Sequence, residues 1–274
     1  MMRFVQNALV TCVAGLPLVA AADTTTDTFE RDHNIGGWTI SGNPNIDATG
    51  GNPGSWLHNP LADTFHPIVR TNGVSLFVGD FRAMGVTTIA FDAVLIDRDF
   101  GNPTGFPMSL LLRDTKNTPG DPSDDDYAYF VGLQVPLIGQ GWVHYEIAVP
   151  SADRTPVPAG WSGGWAGDLE NFRPGVDWND VITNVDRVEI WWNHPAYFAV
   201  FAQWNVGMDN ISITTEPVNA CVADTDGDGT VGITDFLDLL AAWGTDNPVY
   251  DIVPNGNVGI DDFLALLAAW GPCP

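Results

Sequence analysis

Positive charge is what this chain has least of. Its 274 residues carry ten Lys and Arg against 34 Asp and Glu, a formal net charge of −24. Lys116 is the only lysine. A surface this acidic repels nucleic acid and anionic lipid, which removes both from the field of partners. Also absent are a Ser-His-Asp elbow, an H-E-x-x-H pair and a phosphate-binding glycine loop. The sequence motifs of the commoner hydrolase, metalloprotease and nucleotide chemistries are therefore missing. Long apolar runs are missing beyond the first residues, so no transmembrane segment is expected in the mature chain.

Cysteine is scarce, and its placement is informative. The opening MMRFVQNALVTCVAGLPLVAAAD joins Arg3, an apolar run and a small-residue end with Ala20 and Ala22 in A-x-A spacing. Residues 1–22 thus read as a secretory signal, and the mature protein is expected to be secreted or extracellular. Cys12 leaves with that leader, which leaves Cys221 and Cys273. In an oxidising compartment these form one disulfide, closing a loop worth about 4 kcal/mol by chain entropy.

Between those two cysteines lie nine aspartates and no Lys, Arg or Glu. GITDFLDLLAAWG (232–244) lies over GIDDFLALLAAWG (259–271) with eleven identities in thirteen positions and a period of 27. One loop-and-helix unit has been duplicated. Phe236, Leu240 and Trp243, and Phe263, Leu267 and Trp270, fall at helical spacing and are the expected packing faces. In the loop DTDGDGTVGITD, counting Asp224 as position 1 puts Asp226 at 3, Asp228 at 5, Gly229 at 6, Thr230 at 7 and Asp235 at 12. These are calcium-loop positions, where alternate carboxylates and one backbone carbonyl converge on a hard cation. The second loop places Asp251, Asn255, Asn257 and Asp262 at positions 1, 5, 7 and 12, but Val253 at position 3 cannot ligate, so weaker binding is expected there.

A duplicated calcium loop and helix with Asp at position 12, in residues 217–274, resembles a type I dockerin, a small all-α, EF-hand-like module. The resemblance implies calcium-dependent folding and docking onto a cohesin-type partner. Where that family commonly carries polar pairs at positions 10 and 11, this chain has Ile233-Thr234 and Ile260-Asp261.

Residues 23–216 read as mostly β. Strand patterns at 87–96, 108–113, 127–135, 142–149, 187–192 and 206–214 alternate with Gly, Pro, Asn and Asp turns, which argues a two-sheet sandwich. TFERDHNIGGW, LFVGDFRAMGVTTIAFD, GWVHYEIAVP and MDNISIT, in that order, resemble galactose-binding-like and laminin B-like jelly rolls, an architecture shared by carbohydrate-binding modules. In such modules a structural calcium often joins the first and last strands, and Glu30 and Asp209 stand at the matching places. DPSDDD (121–126) reads as a solvated loop, and His58, His66 and His194 as loop residues.

Alternation turns Trp142, His144 and Glu146 of one strand, and Arg187, Glu189 and Trp191 of another, away from their apolar partners. Aromatic faces beside charged groups suit sugar rings and hydroxyls, so Trp142, His144, Arg187, Glu189 and Trp191 form the expected carbohydrate-binding set. The leading reading is a non-catalytic protein that binds a polysaccharide or cell-surface glycan. Two others remain: a polysaccharide-degrading enzyme using Glu146 and Glu189 as paired carboxylates, and a structural surface component.

Overall fold

The computed structural model describes residues 22–42, 44–72, 75–116, 118, 120–152, 156–216 and 221–273. The expected leader, apart from Ala22, lies outside the described residues. The chain divides into two compact units, and each is described by itself.

The larger unit is a sandwich of two six-stranded antiparallel sheets. Its strands in chain order are β1 (Asp23–Asp27), β2 (Thr39–Ile40), β3 (Asn45–Gly51), β4 (Gly54–Thr64), β5 (Ile68–Arg70) and β6 (Val86–Arg98), then β7 (Pro107–Asp114), β8 (Asp126–Gln134), β9 (Val143–Ala148), β10 (Trp161–Trp165), β11 (Arg187–Trp191) and β12 (Ala202–Thr215). The first sheet runs β3-β4-β12-β6-β9, with β1 also on β12; the second runs β10-β8-β7-β11-β5-β2. A short helix, α1 (Trp178–Ile182), precedes β11 and is capped by Asp177, which accepts from the Asn179 and Asp180 N–H groups.

Period-2 alternation sends Ile89, Phe91, Ala93 and Leu95 of β6 inward against Leu110 and Leu112 of β7 and Val188 and Ile190 of β11, all buried. Each such large side chain contributes roughly 1.5–3 kcal/mol by leaving water. All six strand patterns read from the sequence are strands, and both quoted alternations have the expected inward side: Ile147 and Val149, and Val188, Ile190 and Trp192, are buried. Two loop assignments need correction. His58 lies within β4, and DPSDDD ends in buried Asp125 and Asp126, the latter opening β8. His66, outside the strands, has ring nitrogens sealed from water.

The smaller unit holds α2 (Ile233–Ala241) and α3 (Ile260–Ala268). It is not purely helical, because β13 (Thr230–Val231) pairs with β14 (Gly271–Pro272). The Cys221–Cys273 disulfide joins its two ends, with Cα atoms 5.6 Å apart. The core is Ala223, Val231, Leu239, Ala242, Val258 and Leu266, with the Phe236 and Phe263 rings 5.6 Å apart. The expected packing faces are therefore corrected: Leu239 and Leu266 are buried, whereas Leu240, Trp243, Leu267 and Trp270 are exposed by 43–49%. Phe236 can belong to either helical stripe. Small Ala242 enters this compact core where Trp243 would not fit.

Candidate functional site

In the first loop, carboxylate oxygens of Asp224, Asp226 and Asp235 lie within 4.8 Å of one another. Backbone N–H groups aim them. Asp224 accepts from Gly227, Asp228 and Gly229 at 2.9–3.1 Å, and Asp235 accepts from Thr225 at 2.6 Å, Asp226 at 3.2 Å and Gly232 at 2.7 Å. Gly229, at φ +86°, makes the turn at position 6. A hydrogen bond from the Asp228 N–H lowers the Asp226 carboxyl pKa, but desolvation and the charges of Asp235, Asp228 and Asp224 together raise it. Three acids held this close fit a hard cation that takes six to eight oxygens. Asp228 lies outside the 4.8 Å group, its Oδ1 accepting from the Thr230 N–H at 2.8 Å.

The second loop repeats much of the hydrogen bonding with two of the acids, Val253 and Asn255 standing where the first loop has Asp226 and Asp228. Asp251 accepts from Asn255 at 3.1 Å and Gly256 at 2.9 Å; Asp262 accepts from Val253 at 2.8 Å and Gly259 at 2.7 Å. Asn255 accepts from the Asn257 N–H at 3.0 Å. Among the described residues, no group of three acids gathers there.

The five carbohydrate-set residues do not form one site. β9 belongs to the first sheet and β11 to the second, so Trp142 and His144 stand on one outer face of the sandwich and Arg187, Glu189 and Trp191 on the other. Glu146 and Glu189 are separated in the same way, which removes them as a carboxylate pair across one glycosidic bond.

On the first sheet's outer face, His144 Nδ1 lies 2.7 Å from Asp92 and the Trp142 N–H donates to the Gly50 carbonyl at 3.3 Å. Trp142 meets Trp56 edge to face at 5.3 Å, and Trp56 stacks on His58 at 4.0 Å. His58 in turn bonds Asp47 at 2.5 Å and Asn205 at 2.9 Å. Nearby, Glu30 and Asp209 both hold the β3–β4 turn: Glu30 accepts from the Ser55 N–H at 3.0 Å and Asp209 from the Asn52 N–H at 2.6 Å. A side chain on Gly54 would collide with the Glu30 carboxylate, which explains the glycine. Burial, reinforced by the charges of Asp92 and Glu30, pushes the Asp209 carboxyl up to about 6.

The second sheet's outer face carries its own apolar cluster of Leu111, Tyr127 and Tyr129, with Val131 and Trp191 against it. Arg113 lies within it, 4.9 Å from the Tyr127 ring and 5.6 Å from that of Trp191. Its guanidinium donates to Glu189 at 2.9 Å and Asp125 at 2.6 Å. The Trp191 N–H donates to the same Glu189 oxygen at 2.7 Å, and Arg187 lies 3.8 Å from the other. Glu189 points outward as expected but is buried, and Trp191 is half-buried, because neighbouring side chains cover the face. His66 lies 5.0 Å from Trp191. Among the described residues, the buried hydroxyl of Ser109, beside Trp191 in the β7–β11 register, has no partner, nor has either His66 ring nitrogen. Burial lowers the His66 pKa, so the ring is neutral near pH 7.

Sequence reasoning missed Arg113, Tyr127, Tyr129, Ser109 and His66. A signal existed for the tyrosines, since YAYFV alternates, but none for Arg113, whose role depends on which strands flank β7.

No protein-family description matches this chain, and no curated protein matches it. Solved structures similar to it include an exo-β-agarase (16% identity, 82% of this chain and 31% of that one, TM-score 0.39). Another is CBM27-1 of Caldicellulosiruptor saccharolyticus in complex with mannohexaose (12% identity, 69% of this chain and 96% of that one, TM-score 0.29). A third is SGBP-B from a xyloglucan utilization locus of Bacteroides uniformis (8% identity, 66% of this chain and 45% of that one, TM-score 0.29). This chain spans about a third of the agarase, 31% of its length. Similarity at this level decides neither ligand nor binding face.

Proposed function

We propose that the sandwich is a non-catalytic glycan-binding domain whose binding surface is the outer face of the second sheet. The observation that carries this reading is a buried hydroxyl, Ser109 Oγ, and two buried ring nitrogens of His66, all unpartnered beside Trp191. Each such group left unpaired costs roughly 1–3 kcal/mol, and sugar hydroxyls both donate and accept. Trp191 supplies a ring face for a sugar and Arg187 a polar edge, while buried Glu189 holds both in place. Trp142 and His144 fall outside this surface. The carboxylates here are already committed: Glu189 to Arg113 and Trp191, Asp125 to Arg113.

The C-terminal unit, in this reading, is a dockerin-like module that binds one calcium through Asp224, Asp226, Asp228, Asp235 and the Thr230 carbonyl, and docks the sandwich onto a cohesin-type partner. The acid cluster of the first loop supports the calcium, and the exposed leucines of α2 and α3, with Trp243 and Trp270 just past their ends, support the docking. The Cys221–Cys273 disulfide suits a secreted protein. Among the described residues no helix is long and apolar enough to cross a membrane. The test is retention of the full chain on a panel of immobilised polysaccharides, alongside release of reducing sugar. Retention without release supports the proposal; release places the chain among enzymes, and no retention on any polysaccharide favours a structural role.

A further inference from the structure

Arg98, the last residue of β6, is only 7% exposed. Its side chain makes no hydrogen bond or ion pair among the described residues, and its Nε is buried without a partner. In a chain with 34 acidic side chains, a buried guanidinium with no carboxylate in contact, and only the charge of neighbouring Asp99 acting on it, runs against the composition. Its neighbours are rings instead: Trp204 at 4.4 Å, Phe106 at 4.9 Å and Phe100 at 5.8 Å. Two more donors, the indole nitrogens of Trp204 and Trp192, are buried without acceptors, with the two rings 6.3 Å apart. The two tryptophans lie in the core between the sheets, so of these donors the guanidinium, at the end of β6, is the one placed to meet an oxygen acceptor from outside.

The surrounding loops add apolar surface. Trp204 pairs with Arg98 on one side and Ala62 on the other, and the Asp99 N–H donates to the Gln203 carbonyl at 3.2 Å, so three loops meet at this end of the sandwich. Phe65 and Phe201 meet there edge to face at 5.5 Å, while Phe100 is 62% and Phe198 90% exposed.

We propose that this loop end is a second glycan site, taking an anionic sugar whose carboxylate or sulfate meets Arg98 and whose ring stacks on Phe100. It rests on the glycan reading of the sandwich for its ligand class but not for its residues. The guanidinium fork matches planar or tetrahedral oxyanions, and an exposed ring accepts the apolar face of a sugar. An anionic bilayer offers similar groups, but an extended charged sheet meets the repulsion of the whole acidic surface. One sugar anion meets only charges within a Debye length, about 8 Å at physiological salt.

The test is calorimetric titration of the full chain with trigalacturonate, with a sulfated galactose oligosaccharide and with a neutral one. An anionic ligand should bind at least about tenfold more tightly than the neutral one, and which anion binds identifies the source. Arg98→Gln and Phe100→Ala should each weaken that binding about tenfold, while Trp191→Ala leaves it unchanged. Should Arg98→Gln fail to fold, Arg98→Lys, which keeps the charge but not the fork, carries the test with Phe100→Ala. The proposal is overturned by equal affinity for anionic and neutral ligands, by anionic binding that survives Arg98→Lys and Phe100→Ala, or by binding to phosphatidylserine vesicles but to no sugar. Neutral-glycan binding lost with Trp191→Ala yet indifferent to Arg98→Lys would remove this site and leave the sheet-face reading standing.

Discussion

Replacing Glu189 with Gln separates a structural carboxylate from a catalytic one. Glu189 is 3% exposed and accepts from Arg113 at 2.9 Å and from the Trp191 indole at 2.7 Å. Gln keeps the shape and one acceptor oxygen but removes the charge. Breaking one side of a buried pair costs about 3–5 kcal/mol, and the lower end applies because Arg113 retains a charged partner. That partner is Asp125, at 2.6 Å. At about 2–4 °C per kcal/mol for a domain of this size, a loss of about 3 kcal/mol lowers the melting temperature of the sandwich by about 6–12 °C. Differential scanning calorimetry of the full chain measures this, with exposed Glu146→Gln as a control expected within about 0.5 kcal/mol of the parent. An unchanged or raised melting temperature for Glu189→Gln would refute the reasoning, since a carboxylate held for chemistry is a source of strain that its removal relieves.

Calcium titration of the metal-stripped full chain should give one dominant site that Asp228→Ala abolishes; two equally tight sites would mean that the second loop compensates for Val253. Leu239→Ala in the buried stripe of α2 should cost about 2–5 kcal/mol, and Leu240→Ala less than 1 kcal/mol, read from the melting of the smaller unit. Equal losses would put both residues in the core. The lowered pKa of His66 makes the unfolded chain bind the extra proton first, so its contribution is full above the unfolded value near 6.5 and is lost below it, as pH falls towards and through the lower folded value. Melting temperatures between pH 7.5 and 5 should drop less in His66→Asn than in the parent, and an identical drop would show that His66 does not report this burial.

Long strands were legible because their alternation is local. β6, β9 and β11 present Ile89, Ile147 and Val188 inward as the pattern required. The segment before residue 70 was not, since GSWLHNPLADT is broken by Asn59 and Pro60, and His58 was expected in a loop where β4 runs. What alternation cannot reveal is sheet membership. Trp142 and Trp191 both point outward, yet β9 joins β6 and β11 joins β5 and β7, which puts them on opposite sides. Exposure is equally non-local: Glu189 is outward by pattern and buried because Arg113 and Trp191 close over it. The acid cluster of the first loop was legible as spacing, because the loop and the helix start that follows it bring Asp224, Asp226 and Asp235 together without help from distant residues. The helix face was not, because the same Phe236 serves two stripes.

The most direct measurement of the central claim is retention of the full chain on immobilised polysaccharides, with parent, Trp191→Ala and Trp142→Ala compared and reducing ends assayed in parallel. Trp191 is half-buried, so its replacement should lower the melting temperature by a few degrees while leaving a folded sandwich. Retention should be lost with Trp191→Ala, kept with Trp142→Ala, and accompanied by no new reducing ends. Retention that survives Trp191→Ala, or reducing ends that appear with the parent and vanish with Glu189→Gln, would contradict the claim.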